Sequence, residues 1–217
     1  MRFVVTAGPT REAIDPVRFI SNRSSGKMGY AIAEAALAAE HEVTLISGPA
    51  SIAPPRGTQL VSITTSDELY DAVHRAVPAC DVLVMCAAVS DYKPAAPAKR
   101  KMKKRKAPFA LKLIPTKDVL ASLPKENRRY LVVGFAAETH DLKINAEKKL
   151  REKNCDLIVA NDVSRSDAGM ESDENEVVIF FRNGESQKIS RTSKKNIARE
   201  LVKIISKMLE KSLTKKS

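Results

Sequence analysis

Ser21-Asn22-Arg23-Ser24-Ser25-Gly26-Lys27-Met28-Gly29 separates a first apolar run, which leads into Thr6-Ala7-Gly8-Pro9-Thr10-Arg11-Glu12, from an alanine-rich stretch. In that stretch Met28, Ile32, Ala35 and Ala39 share one apolar face at helical spacing. The polar segment therefore becomes the N-terminus of a helix. Ser24 and Ser25 are candidate caps, and Gly26 and Gly29 allow other backbone to approach closely. The free N–H groups of the first turn form a cradle for an anion, which Lys27 reinforces. Asn22 adds a neutral amide able to hold a carbonyl or phosphoryl oxygen. The same residues also fit an ordinary capped helix that follows a long loop.

Working outward, 217 residues suffice for one large α/β domain whose core needs no disulfides. The three cysteines, Cys80, Cys86 and Cys155, lie in or beside apolar runs without ligand spacing and read as reduced core residues of a cytoplasmic protein. No uncharged apolar stretch approaches the roughly 18 residues of a membrane helix, so neither export nor a membrane is expected. The net charge is +11, but the run Lys99-Arg100-Lys101-Met102-Lys103-Lys104-Arg105-Lys106 carries seven of those charges and the tail lysines 211, 215 and 216 carry three. The rest of the chain is nearly neutral, which is not the coat of a nucleic-acid binder. One concentrated run can grip nucleic acid, stay solvated, or close over a polyphosphate.

Residues 2–6 read as a strand, 42–47 as a second strand ended by Gly48-Pro49, and 59–63 as a third. Thr65 and Glu68 make a capping box for a helix reaching about Val77. Residues 81–88 and 130–137 are apolar without alternation, as in parallel strands buried on both faces. Residues 94–108, rich in Pro, Ala, Lys and Arg, read as a flexible lid. An edge strand at 109–113, helices at 118–123 and 141–153, and a strand at 156–160 follow. Strands 176–181 and 187–189 flank Asn183-Gly184, a hairpin signal, before a last helix from about Ser193. The pattern is that of one Rossmann-like, doubly wound, mainly parallel sheet with an added antiparallel hairpin.

On such a sheet, ligands bind beyond the carboxyl ends of the strands. The polar segments there are the Asn22 loop, Asp91, Glu138-Thr139 and Asn161-Asp162; Asp91 suits ribose hydroxyls, or a plain cap. Lys149 and Lys153, four apart, share a helix face that is either solvated or turned to phosphate. A nicotinamide-dependent reductase is disfavoured, because the first turn has one glycine where three are needed and no tyrosine has lysine four residues on. Walker, zinc and Ser-His-Asp patterns are missing, and His41, His74 and His140 read as surface residues.

Together, TAGPTREAIDPVRFISNRSSGKMGYAIAEAA, CAAVSDYKP, KMKK, VGFAAET and DLIVANDV resemble phosphopantothenoylcysteine synthetase, in order from first strand to last helix. The resemblance implies a ligase of coenzyme A biosynthesis that joins 4′-phosphopantothenate to L-cysteine. CTP is the expected co-substrate, Mg²⁺ (or Mn²⁺) the expected ion, and an acyl-cytidylate the intermediate. No flavin is expected, because the chain begins at the first strand of the synthetase. By the same resemblance, Asn22 holds the acyl-cytidylate and Lys101 acts in forming it, with Lys103 and Lys104 beside it. Met85, Cys86, Ala87, Asp91, Lys117, Asp118, Val119, Leu120, Phe135, Lys149 and Lys153 fall at nucleotide positions, and Ser24, Ser25, Gly26 and Lys27 at the phosphate cradle. A homodimer is implied, with the 176–189 hairpin as the expected contact. Pro115-Thr116-Lys117-Asp118 departs from the family's Asn-Pro-Asp, and Pro9 replaces a frequent glycine. A nucleotide sensor without catalysis and an ATP-dependent ligase are the alternative readings.

Overall fold

The computed structural model describes residues 1–104, 108–162 and 172–214, with side chains through 211. Six strands form the parallel body of the main sheet: β1 (Arg2–Ala7), β4 (Glu42–Ser47), β5 (Gln59–Ser62), β6 (Val82–Met85), β9 (Leu131–Glu138) and β10 (Leu157–Asp162). Two short ribbons stand outside it: β2 (Arg11–Ala13) with β3 (Phe19–Ser21), and β7 (Tyr92–Pro94) with β8 (Leu113–Pro115). The hairpin of β11 (Glu174–Phe181) and β12 (Ser186–Ser193) adds antiparallel to β10. The order β12-β11-β10-β9-β6-β1-β4-β5 means that the chain winds outward from β1 to one edge, returns, and winds outward from β6 to the other. The two windings part between β1 and β6.

Alternation along β1 decides which helices lie on which face. Phe3 and Val5 pack with α1 (Lys27–Ala38) and with Ile197, Leu201 and Ile205 of α5 (Lys194–Thr214). Val4 points the other way, into the cluster holding Leu69 and Val73 of α2 (Ser66–Ala76), Val119 of α3 (Val119–Ser122), and Ala146 and Leu150 of α4 (Leu142–Glu152). The expected capping box at Thr65 and Glu68 is present on α2.

Several local expectations are corrected. The α1 cap is Gly26 in the left-handed region at φ 79°, with no side-chain cap. Ser24 and Ser25 sit two and one residues earlier, their hydroxyls accepting from the N–H groups of Gly26 and Lys27 at 3.3 and 3.4 Å. The strand expected at 109–113 lies instead at Leu113–Pro115, outside the main sheet, and its place is set by antiparallel pairing with Tyr92–Pro94. His41 and His74 are half-buried, one ring stacked on Phe3 and the other on Tyr70. The hairpin loop has three residues, 182–184, with Phe181 N–H donating to the Glu185 carbonyl and Gly184 at φ 89°. Residues 105–107 of the basic run, part of the expected lid, and lysines 215 and 216 lie outside the described residues.

Gly29 is where α1 meets β1. A Cβ there would lie 2.6 Å from Ala7 Cβ and 3.0 Å from the Thr6 carbonyl oxygen, so only glycine lets the helix start sit against the strand end. Gly29→Ala is expected to cost about 1–3 kcal/mol through overpacking. Chemical denaturation measures it, and an unchanged midpoint would show that the close approach is not a constraint.

Candidate functional site

The parting of β1 and β6 leaves backbone groups beyond both strand ends, and Thr6 organises them. Its hydroxyl, fully buried, accepts from the N–H groups of Cys86 and Ala87 at 3.1 and 3.0 Å and lies 3.4 Å from the Val84 carbonyl. Gly8 and Thr10 continue the joint: Ala88 N–H donates to Gly8 O, and Thr10 N–H to Ala88 O. The Asn22 amide nitrogen donates to that same Ala88 carbonyl at 3.1 Å. Asn22 is thereby held against the loop that follows β6, although it reaches the site from the β3 side.

A cleft of two adjoining lobes opens here, about 320 and 390 Å³ in volume, with Ala87, Val89, Asp91, Phe135 and Lys149 lining both. The first lobe gathers Asn22, Ser24, Ser25, Gly26, Lys27 and Cys86. The second gathers Met85, Lys117, Asp118, Val119, Leu120 and Lys153. A larger hollow of about 640 Å³ between α1 and Ile52 shares Lys27 and Lys194 with the first lobe, but its walls are mostly apolar and the segment after β6 does not line it. Lys101, Lys103 and Lys104 are exposed and line neither lobe.

The charges within the cleft are spoken for in different ways. Lys149 Nζ donates to the Phe135 carbonyl at 2.6 Å, and burial holds its pKa below the ordinary lysine value. Lys153 pairs with Asp118, which also caps α3 by accepting from Ala121 N–H at 2.9 Å. Partial burial pushes the Asp118 carboxyl up, but the Lys153 and Ala121 hydrogen bonds outweigh it and the net shift is downward. Lys117 turns toward α2, its ammonium 4.7 Å from the Tyr70 ring centre and 4.0 Å from Asp67. Lys27 pairs with Asp173 at 2.6 Å.

Sequence reasoning misses Asn175 and Lys194, both in the first lobe. Lys194 is only 6% exposed, and its pKa is lowered by burial and by the nearby charge of Lys27. Its only signal is a place at the start of α5, where a lysine reads as surface. Burial pushes the Cys86 thiol up to about 12, so this cleft residue is a protonated neighbour and not a nucleophile. Among the described residues no three His, Cys, Asp or Glu groups converge on a metal position.

Residues 1–209 match the family described as the DNA/pantothenate metabolism flavoprotein C-terminal domain. The chain belongs to that family. It is 44% identical over 203 residues to the coenzyme A biosynthesis bifunctional protein CoaBC of Bacillus subtilis (strain 168), covering 93% of this chain and 50% of that protein. The chain spans about half the length of the curated relatives it matches. A crystal structure of the C-terminal domain of CoaBC superposes with a TM-score of 0.81 at 41% identity, over 97% of this chain and 96% of that one. A Cab2 mutant in complex with phosphopantothenate-cysteine shares the fold, with a TM-score of 0.79 at 17% identity over 99% of this chain and 88% of that one. The cleft of this C-terminal-domain fold is thus built chiefly from backbone, asparagine amides and lysines.

Burial of Lys149 has a consequence for pH. Its ammonium gives up its proton at a lower pH than a free lysine's 10.5. Between the two values the unfolded chain binds more protons, so stability rises with pH across that window. An anion beside Lys149 would favour the protonated form, so the affinity of the cleft for inorganic phosphate is expected to fall as pH climbs through the depressed value. Calorimetric titrations from neutral to alkaline pH measure this. In Lys149→Arg, whose guanidinium stays charged, that step should vanish; an unaltered step would assign it to another group.

Proposed function

We propose that this chain is a phosphopantothenate–cysteine ligase, using CTP and passing through an acyl-cytidylate, in a reducing cytoplasmic compartment. The observation that carries the reading is the fixing of the Asn22 amide to the Ala88 carbonyl, between the α1 cradle and the Lys149 lobe. It is supported by 41–44% identity to CoaBC proteins and to a CoaBC C-terminal domain, and by the phosphopantothenate-cysteine bound in the structurally similar Cab2 mutant.

In the proposed first step a carboxylate oxygen of 4′-phosphopantothenate attacks the α-phosphorus of CTP. The bond to the β-phosphate breaks and pyrophosphate leaves. In the second step the amine of L-cysteine attacks the acyl carbon, loses a proton, and expels CMP. Neither step calls for a protein nucleophile, which suits a cleft whose one thiol is held protonated. The chain's part is orientation and positive charge, which supply most of the rate in such transfers. Lys149, Lys153 and Lys117 line the second lobe for the nucleotide, with Met85–Ala87 backbone, Asp118, Val119, Leu120 and Phe135 around it and Asp91 toward ribose. Lys27 and Lys194, with Ser24, Ser25 and Gly26, offer a phosphoryl site in the first lobe. Lys101 acts in cytidylate formation, with Lys103 and Lys104 beside it. Magnesium, if bound, would supply charge neutralisation beside the triphosphate; among the described residues no three His, Cys, Asp or Glu groups converge to hold it, so no step here depends on a protein-held metal.

We infer a homodimer as well. The exposed residues of the 176–189 hairpin include Arg182, Asn183, Glu185, Gln187 and Lys188, all polar. Large exposed apolar residues instead cluster on the two ribbons, with Val17, Phe19, Tyr92, Leu113 and nearby Phe109 each more than 40% exposed. The 176–189 hairpin stays the proposed contact, and the ribbons offer a further apolar patch.

Asn22→Asp tests the reading. A carboxylate would face the Ala88 carbonyl and the developing oxyanion, so cysteine transfer should slow roughly 10²–10³-fold, about 2.7–4 kcal/mol, while pyrophosphate release continues. Mass spectrometry should find 4′-phosphopantothenoyl-CMP accumulating with CTP, phosphopantothenate and cysteine present. Near-normal turnover without stored intermediate would contradict the role of Asn22. For Lys101→Gln the complementary result is expected: pyrophosphate release is lost while thermal unfolding barely moves. If Lys103→Gln or Lys104→Gln loses release instead, the acting lysine has been misassigned.

A further inference from the structure

Asp15 is 3% exposed, although it sits in the short connection between β2 and β3 on a ribbon outside the main sheet. Its two carboxylate oxygens do different work. Oδ1 accepts from the N–H groups of Val17 and Arg18 at 2.8 and 2.9 Å, which closes the local turn. Oδ2 accepts from Arg18 Nε at 3.0 Å, from Arg18 Nη2, and from Met102 N–H at 3.1 Å. The last of these partners is 87 residues away, in the middle of the lysine-rich run. The same Arg18 Nη2 donates to the Met102 carbonyl at 2.9 Å. Met102 is therefore gripped by both its N–H and its C=O, and Ala98 N–H adds a bond to the Ile14 carbonyl at 2.9 Å. The Arg18 guanidinium holds the Asp15 carboxyl far below the usual carboxylate range, so the grip is ionised throughout the physiological range.

We propose that Asp15 is the positioning residue for the catalytic lysine loop: by holding Met102, it sets the backbone from which Lys101 and Lys103 project. This rests on the ligase reading, in which Lys101 acts at the transferring phosphoryl group. Met102 is half-buried, while Lys101, Lys103 and Lys104 on either side are exposed and form no ion pair among the described residues. A long, flexible ammonium contributes to transition-state charge only if its point of attachment is placed, and a displacement of about 1 Å can cost roughly 10²-fold in rate. The turn alone needs one acceptor oxygen. The second oxygen pairs with Arg18 three residues on and, beyond that local pair, also holds a loop 87 residues distant, which is what a positioning role requires.

That division of labour supplies the test. Asp15→Asn keeps a carbonyl oxygen for the turn but sets an NH₂ against the Arg18 guanidinium and the Met102 N–H, donors facing donors. Met102→Pro removes the gripped N–H from the other side and leaves the Asp15–Arg18 pair untouched. Three quantities are measured on the full chain: hydrogen exchange over residues 98–104, pyrophosphate release from CTP with phosphopantothenate, and cysteine transfer to chemically prepared 4′-phosphopantothenoyl-CMP. In both variants exchange at 98–104 should quicken, and kcat for pyrophosphate release should fall roughly 10²-fold with little change in the KM for CTP. In Met102→Pro, cysteine transfer should stay within about twofold of wild type, because the acyl-cytidylate is already made. Unchanged pyrophosphate release in both variants, or equal loss of both half-reactions in Met102→Pro, would overturn the proposal. A wild-type chain that releases no pyrophosphate would instead sink the ligase reading. Exchange at 98–104 would still decide whether Asp15 holds the loop: unaltered protection in Asp15→Asn would overturn the anchor itself.

Discussion

The buried hydroxyl of Thr6 holds together a place where a parallel sheet would otherwise come apart. The two windings of the sheet run outward in opposite directions from β1 and β6, and just past the end of β6 the N–H groups of Cys86 and Ala87 meet a side chain instead of a strand carbonyl. Thr6 supplies one oxygen that accepts from both, and so bends the chain after β6 into the cleft. An unpaired buried N–H costs about as much as a lost hydrogen bond, which makes a single well-placed hydroxyl worth keeping. From that joint follow the Gly8–Ala88 and Thr10–Ala88 bonds, the seat of Asn22, and the close approach of α1 at Gly29.

Around this neutral frame the charges are graded by burial. Lys194 is buried and Lys149 half-buried, each with its ammonium made less stable by desolvation, while the lysines of the 99–104 segment stay exposed. A buried cation is poised for an anion, because the guest restores what burial removes. An exposed cation serves differently, contributing only once its side chain has been brought to the reacting group. The three thiols are all held protonated by burial, Cys80 and Cys86 at about 12 and Cys155 at about 11, so the cysteine chemistry of the proposed reaction belongs to the substrate.

Much of this was legible in the residues. Apolar runs without alternation marked β6 and β9, the Thr65–Glu68 pair marked the start of α2, and polar segments after strands marked both lobes of the cleft. What escaped had no local signature. The ribbons β2–β3 and β7–β8 are three residues per strand and held by distant partners, and the strand at 113–115 depends on what it pairs with. Ser24 and Ser25 looked like caps because propensity cannot register that Gly26 takes the left-handed turn first. Lys194 resembled any surface lysine until the fold buried it. Asp15 looked like a turn former, and only the tertiary structure shows its second oxygen reaching Met102.

The central claim is that this cleft activates a carboxylate by joining it to a nucleotide's α-phosphate. It is tested most directly by following one oxygen atom. With 4′-phosphopantothenate carrying ¹⁸O in its carboxylate, and with CTP and L-cysteine, the acyl-cytidylate route leaves one ¹⁸O in the phosphate of the released CMP, read by mass spectrometry or phosphorus NMR. Appearance of the label in inorganic phosphate alongside a nucleoside diphosphate, or its complete retention in the amide product and unreacted acid, would contradict the account.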